Sequence, residues 1–155
     1  MIRNTTSDDH AKLISLATAT GIFEDGQTEE LSQMLASFNP ADKLAGDIWL
    51  TDDDDGPVGV AYLAPERMTE GTWNLYFIAV HPDRQREGRG LAILNHVIQL
   101  LSERGQRVLL VETAGTDDFD YVRKFYGDNG FTKEATIREF YTAGVDKVVY
   151  RRALN

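Results

Sequence analysis

Cysteine is absent from this 155-residue chain, which excludes disulfides and thiolate chemistry. Basic residues are outnumbered, 16 Lys and Arg against 25 Asp and Glu, giving a formal net charge of -9. A nucleic-acid binder would show a basic face, so the charge points away from nucleic acid and towards a cationic acceptor such as an amine. No apolar run approaches the roughly 18 residues needed to span a bilayer. The start from Met1 to His10 is polar and unlike a signal peptide, so a cytoplasmic protein with no membrane partner is expected. The three histidines have no His-Glu-x-x-His or other metal spacing, and no metal is expected. The chain also lacks the nucleotide P-loop, Gly-x-x-x-x-Gly-Lys-Ser/Thr, and the serine-hydrolase elbow, Gly-x-Ser-x-Gly.

What is present suits one soluble domain over residues 1–155. Apolar content is 42% and charged content 26%, ordinary for a globular chain long enough for a real core. Repeats, linkers and low-complexity tracts are missing. Ile2 to Thr5 reads as a short strand. Ser7-Asp8-Asp9 caps a helix to about Ala19, and Gly21 to Gly26 reads as a loop. Thr28 caps a second helix with Leu31, Met34, Leu35 and Phe38 at helical spacing, and Asn39-Pro40 stops it. Strands follow at Asp47 to Thr51, Val58 to Ala64 and Thr72 to Val80. An amphipathic helix carries Leu94, Val97, Ile98 and Leu101 on one face. A strand from Arg107 to Thr113, a helix from Asp118 to Asp128 and two closing strands complete the order β-α-α-β-β-β-α-β-α-β-β. This is an α/β fold, a mixed sheet with flanking helices.

Gln85-Arg86-Glu87-Gly88-Arg89-Gly90 stands between the strand ending at Val80 and the helix beginning near Leu91. A strand, a glycine-bearing loop and a helix start form an anion cradle. The first N–H groups of a helix lack internal partners, the helix dipole adds positive charge, and glycine admits a phosphate to the main chain. The dinucleotide fingerprint would need a third glycine at position 93, which is Ile93.

The pattern Gln-x-x-Gly-x-Gly, after a strand ending in Ile78-Ala79-Val80-His81-Pro82, resembles the acetyl-CoA signature of the GCN5-related N-acetyltransferases (GNAT). Phe125-Tyr126-Gly127-Asp128-Asn129-Gly130-Phe131 resembles that family's Phe-Tyr-x-x-x-Gly-Phe. The resemblance covers essentially the whole chain, most strongly Trp73 to Phe131, and implies the acyl-CoA N-acyltransferase fold. It implies acetyl-CoA as cosubstrate and an amine as acceptor. Backbone amides of Arg86, Glu87, Gly88, Arg89, Gly90 and Leu91, in the loop opened by Gln85, would hold the pyrophosphate. Arg84, Arg86 and Arg89 add charge there or are solvated surface residues. Ile78 and Val80 would pair with pantetheine, and the Ile78 N–H would face the thioester oxygen. Tyr126 matches the tyrosine that protonates the leaving thiolate; its bland alternative is a core aromatic. Departures exist. The family's asparagine and alanine, seven and four residues before this tyrosine, are Phe119 and Val122 here. The glutamate that many relatives carry on the fourth strand is Asn74, which accepts no proton at neutral pH.

Glu112 is the substitute base, a carboxylate after the apolar run Val108 to Val111 where surroundings of that kind raise a carboxyl pKa; the alternative is a strand-end residue facing solvent. His81 is the other titratable neighbour. The acceptor side is expected among Ile22, Phe23, Glu24 and Asp25, Trp73 or Tyr76, and Tyr141, with Asn74, Tyr76 and Ile78 on one face of a strand; packing is the alternative for each aromatic. Asp52-Asp53-Asp54-Asp55-Gly56 fails the EF-hand spacing and reads as a solvated hairpin turn. Asp117, Asp118 and Asp120 read as helix-start carboxylates. The expected activity is direct acetyl transfer to a primary amine, on a small molecule in preference to a protein. A non-catalytic acyl-CoA-binding module, or a regulatory protein docking a basic partner, is the alternative. A homodimer is left open by the resemblance.

Overall fold

The computed structural model describes residues 1–21, 25–37 and 46–154. The elements are β1 (Ile2–Asn4), α1 (His10–Thr20), α2 (Asp25–Ser37), β2 (Ile48–Asp53), β3 (Pro57–Pro65), β4 (Thr72–Val80), α3 (Arg89–Glu103), β5 (Val108–Ala114), α4 (Asp120–Asp128), β6 (Thr132–Thr142) and β7 (Val145–Ala153). The strands run in the order β1-β2-β3-β4-β5-β7-β6 along one seven-stranded sheet. The β4–β5 pair is parallel, while β1–β2, β2–β3, β5–β7 and β6–β7 are antiparallel. The fold is therefore mixed α/β, in the expected element order.

Boundaries shift where capping chemistry was misjudged. Ser7–Asp9 forms a 3-10 turn, and α1 starts only at His10. Asp9 there accepts from the Thr6 N–H at 2.8 Å and from both ends of the Arg3 guanidinium at 2.8 and 2.9 Å. The second helix begins at Asp25, ahead of the expected cap at Thr28. Ile22, Phe23 and Glu24, and likewise Phe38, Asn39 and Pro40, lie outside the described residues.

The chain divides into two compact units, Met1–Ala64 with Phe77–Gln99, and Pro65–Tyr76 with Leu100–Asn155. The first packs α1 and α2 on the sheet through Leu13, Leu16, Ala17, Leu31 and Leu35 against Trp49, Val60 and Tyr62. Trp49 and Tyr62 stack with ring centroids 4.4 Å apart. This is apolar burial at helical spacing meeting burial at period two, the pattern that drives helix-on-sheet packing. On its other part, α3 lies close to β3 because Gly59 has no side chain: a Cβ there would stand 2.9 Å from Ile93 Cδ1 and 3.2 Å from Asp52 Cβ.

The second unit buries Leu75, Leu101, Leu109, Val111, Tyr126, Phe131, Val148 and Leu154. Trp73 belongs to this packing, buried with its indole N–H donating to Gln106 Oε1 at 2.8 Å. The β4–β5 ladder is registered from Thr72↔Val108 to Leu75↔Val111. Among the described residues no helix is long and apolar enough to cross a membrane.

Candidate active site

In the first unit the glycine loop leads from β4 into α3. After a 3-10 turn at Pro82–Arg84, Arg86 and Gly88 both take left-handed φ angles, 65° and 80°. That conformation comes easily to Gly88 and is strained for Arg86. The reversal turns the chain into α3, whose first i→i−4 bond runs from Ala92 N to Gly88 O at 3.0 Å. The amides of Arg89, Gly90 and Leu91 therefore stand ahead of the helical ladder, at the positive end of the dipole. A Cβ on Gly88 or Gly90 would meet nothing within 4 Å. Neighbouring atoms do not require glycine at either position, although the φ of Gly88 favours it. The Gln85 side chain ties the loop back to β4, its amide donating to Val80 O at 3.1 Å. Ile78 and Val80 are half-buried on this unit's part of β4.

The aspartate run does form the β2–β3 turn, with Asp54 and Asp55 exposed, but it is not merely solvated. Asp52 is 4% exposed and accepts from Arg89 at 3.0 Å. Asp53 holds Arg3 at 2.9 Å, and Asp54 holds Arg84 and, at 2.7 Å, Arg89. Glu87 closes the set, with Arg89 at 2.9 Å and Arg84 at 3.1 Å. Arg89 pulls the Glu87 pKa down first and Arg84 next. Arg84 and Arg89 are thus partly exposed and ion-paired within the protein. They staple the loop to the β2–β3 turn, and Arg86 alone of the three arginines makes none of the ion pairs found among the described residues. Sequence reasoning missed this because an acidic run and a basic loop 30 residues apart carry no sign of their pairing.

In the second unit, Glu66, Asn74, Tyr76, Glu112, Phe140, Tyr141 and Lys147 line a pocket of about 460 Å³. The structure thus brings together Asn74, Tyr76, Glu112 and Tyr141. Trp73 is not with them, being committed to the core. Glu112 does not have the apolar surroundings expected of it. Lys147 Nζ lies 2.8 Å from its carboxylate and 3.5 Å from the centre of the Phe140 ring. The two residues meet across the β5–β7 ladder as diagonal neighbours, since Ala114 pairs with Lys147 and Glu112 with Val149. Burial, then the charge of Glu112, raises the Tyr141 pKa. Glu66, Phe140 and Lys147 were not foreseen. Lys147 falls at an alternate position of β7, but register across a sheet is not readable from one strand.

Tyr126 sits near the end of α4, 4% exposed, edge-on to Phe131 with centroids 5.3 Å apart. Burial raises its pKa above the ordinary phenol value. The helix stops as expected at Asn129, with Gly130 in the left-handed region at φ 87°. A Cβ there would come 2.9 Å from Arg152 Nη1, the group that holds Asn129 O at 2.5 Å. Asp117 lies in the 3-10 turn leading into α4, and Asp120, its first residue, pairs with Arg123.

Comparison with known proteins agrees with this geometry. The family model described as an acetyltransferase (GNAT) domain matches residues 45–133. The [ribosomal protein bS18]-alanine N-acetyltransferase of Escherichia coli K12 is 40% identical over 72 residues, 46% of this chain. The chain spans about half of that relative's length, 47%. A crystal structure from Desulfovibrio desulfuricans described as of the GNAT family superposes with TM-score 0.93 at 31% identity, over 100% of this chain and 99% of the other. A Salmonella typhimurium structure, solved with its cofactor acetyl-CoA, superposes with TM-score 0.77 at 19% identity, over 100% of this chain and 94% of the other; at that identity the likeness speaks for the fold. With half the sequence matched by the family model and the whole chain by the Desulfovibrio structure, the protein belongs to the GNAT acetyltransferase family.

Proposed function

We propose that residues 1–155 act as one acetyltransferase domain that moves an acetyl group from acetyl-CoA to a primary amine by direct transfer. The observation that carries this reading is the loop before α3. It offers amides at a helix start that lie ahead of the helical ladder and have no backbone partner among the described residues, and two glycines whose missing side chains leave the backbone open.

Acetyl-CoA supplies an activated acyl thioester. Amides of Arg86, Glu87, Gly88, Arg89, Gly90 and Leu91 would bind its pyrophosphate, with Gln85 bracing the loop. Ile78 and Val80 would pair with the pantetheine arm. The Ile78 N–H would steady the developing oxyanion, a contact worth about 3 kcal/mol in the transition state. Glu112 would take the amine proton as the new C–N bond forms. Tyr126 would deliver its phenolic proton to the sulfur as the C–S bond breaks. A phenol kept protonated by burial suits that role. Asn74, Tyr76, Glu112 and Tyr141 would face the acceptor, a role expected also of Phe23. A small-molecule amine is the proposed acceptor, in the cytoplasm, without a metal and without nucleic acid or membrane as partner. A homodimer belongs to the same proposal and is checked by light scattering.

A thermal-shift titration tests the cradle, with acetyl-CoA and CoA against ATP and NAD. At about a hundred times its dissociation constant a ligand adds roughly 2.7 kcal/mol. Stabilisation by both CoA forms alone is expected; silence towards acetyl-CoA would sink the proposal. Asn74, in place of a glutamate, and Phe119 favour a second reading, a non-catalytic acyl-CoA-binding module. Acetyl-CoA-dependent thiol release with an amine present separates the two.

A further inference from the structure

The pocket of the second unit is lined by two carboxylates and one ammonium. Lys147 is spent on Glu112 and on the face of Phe140. Glu66 is left as the uncompensated charge of the lining. None of the ion pairs found among the described residues includes it, and its side-chain partner is the Asn74 amide, which donates to Oε1 at 3.0 Å. Asn74 is 1% exposed and fixed in β4, so it aims the Glu66 carboxylate from a rigid base. The other end of the same amide, Asn74 Oδ1, is buried and has no hydrogen-bond partner among the described residues. A buried orphan acceptor is costly unless something donates to it. Around these groups stand three half-exposed rings, Tyr76 at 48%, Phe140 at 51% and Tyr141 at 47%.

A carboxylate without a cation, an orphan carbonyl oxygen and exposed aromatic faces together suit a primary ammonium on an apolar or aromatic stem. Phe140 shows the chemistry within the chain, since it already holds the Lys147 ammonium over its ring. We infer that Glu66, aimed by Asn74, is the residue that binds the acceptor's ammonium, and that the acceptor is a monocationic amine with an aromatic or apolar stem. The inference rests on the acetyltransferase reading for the word acceptor, but the binding site stands on this pocket alone. Glu66 has a binding role, distinct from the proton transfer given to Glu112. Lys147, by occupying Glu112, limits the pocket to one cationic charge.

The test is calorimetric titration of the full chain at neutral pH with 2-phenylethylamine, and with 2-phenylethanol as its uncharged analogue. The amine is expected to bind at least about tenfold more tightly than the alcohol, as a hydrogen-bonded charge contact requires. Glu66→Gln keeps shape and can still accept from Asn74; it is expected to lose that advantage with an unchanged melting temperature. Glu66→Asp, which keeps the charge, should retain part of it. In turnover, Glu66→Gln should raise the amine KM with little change in kcat, whereas Glu112→Gln should lower kcat. Equal affinity for amine and alcohol, no binding of either, or amine binding untouched by Glu66→Gln would overturn the inference. Stabilisation by acetyl-CoA is read separately: its loss would remove the transferase reading and leave the ammonium site, and the reverse pattern would do the opposite.

Discussion

At the level of single residues, environment decides what each ionisable group can contribute. Tyr126 is held neutral by burial between aromatic rings. Tyr126→Phe keeps that packing and removes only the proton donor. The expected result is a kcat lower by about 100-fold or more, with acetyl-CoA stabilisation intact in the thermal-shift assay. Asp9 shows the opposite case. The Arg3 guanidinium, helped by the Thr6 N–H, pulls its pKa from the ordinary value near 4 to about 2. A carboxyl depressed in the folded state contributes stability above its unfolded pKa. That contribution is lost as pH falls through the folded value, here between about pH 4 and pH 2. Urea melts of Asp9→Asn should therefore show a deficit on the order of 2 kcal/mol at neutral pH, from the size of the shift. The deficit should shrink steadily below pH 4, because the wild type loses the same contribution there; a gap constant with pH would refute the pairing.

At the level of elements, the loop before α3 depends on partners far away in sequence. Its shape is kept by Asp52, Asp54 and Glu87 on Arg84 and Arg89, and the proposed cradle is made of its backbone. Gly88→Ala places a Cβ in the open space of the cradle and a side chain at φ 80°. A left-handed non-glycine residue costs about 1–2 kcal/mol, so a modest fall in melting temperature is expected. A far larger loss of acetyl-CoA response should accompany it, measured in the same titration. Asp52→Asn tests the staple. It removes the buried charge that faces Arg89 and should cost about 1–3 kcal/mol. Acetyl-CoA binding should weaken with it, although Asp52 carries the charge sign a phosphate would avoid. Tighter binding in Asp52→Asn would mean that the aspartates merely repel the cosubstrate.

For the whole molecule, the net charge of -9 sets up a field that draws cations. The KM for a cationic amine acceptor should rise as salt screens that field, over the range where the Debye length falls from about 30 Å to about 8 Å. Initial rates across that range check it, and a salt-independent KM would show that the local carboxylates suffice. Much of the protein was already legible in its sequence. Hydrophobic periodicity gave the eleven elements in order, because helix and strand periods are local properties of the chain. The glycine loop was legible too, because Gln85 to Gly90 and the helix after it are contiguous, and so was the stop of α4 at Asn129-Gly130. What stayed hidden depends on pairing between distant segments. The acidic run at Asp52 to Asp54 looked solvated until the fold set it against Arg84 and Arg89. Glu112 looked apolar in its surroundings until β7 brought Lys147 to it. Glu66, two residues beyond an apolar run, gave no signal at all. A residue's own letters fix its chemistry and its local backbone preference, but the charge that faces it is chosen by sheet register and chain crossing, which only the folded chain decides.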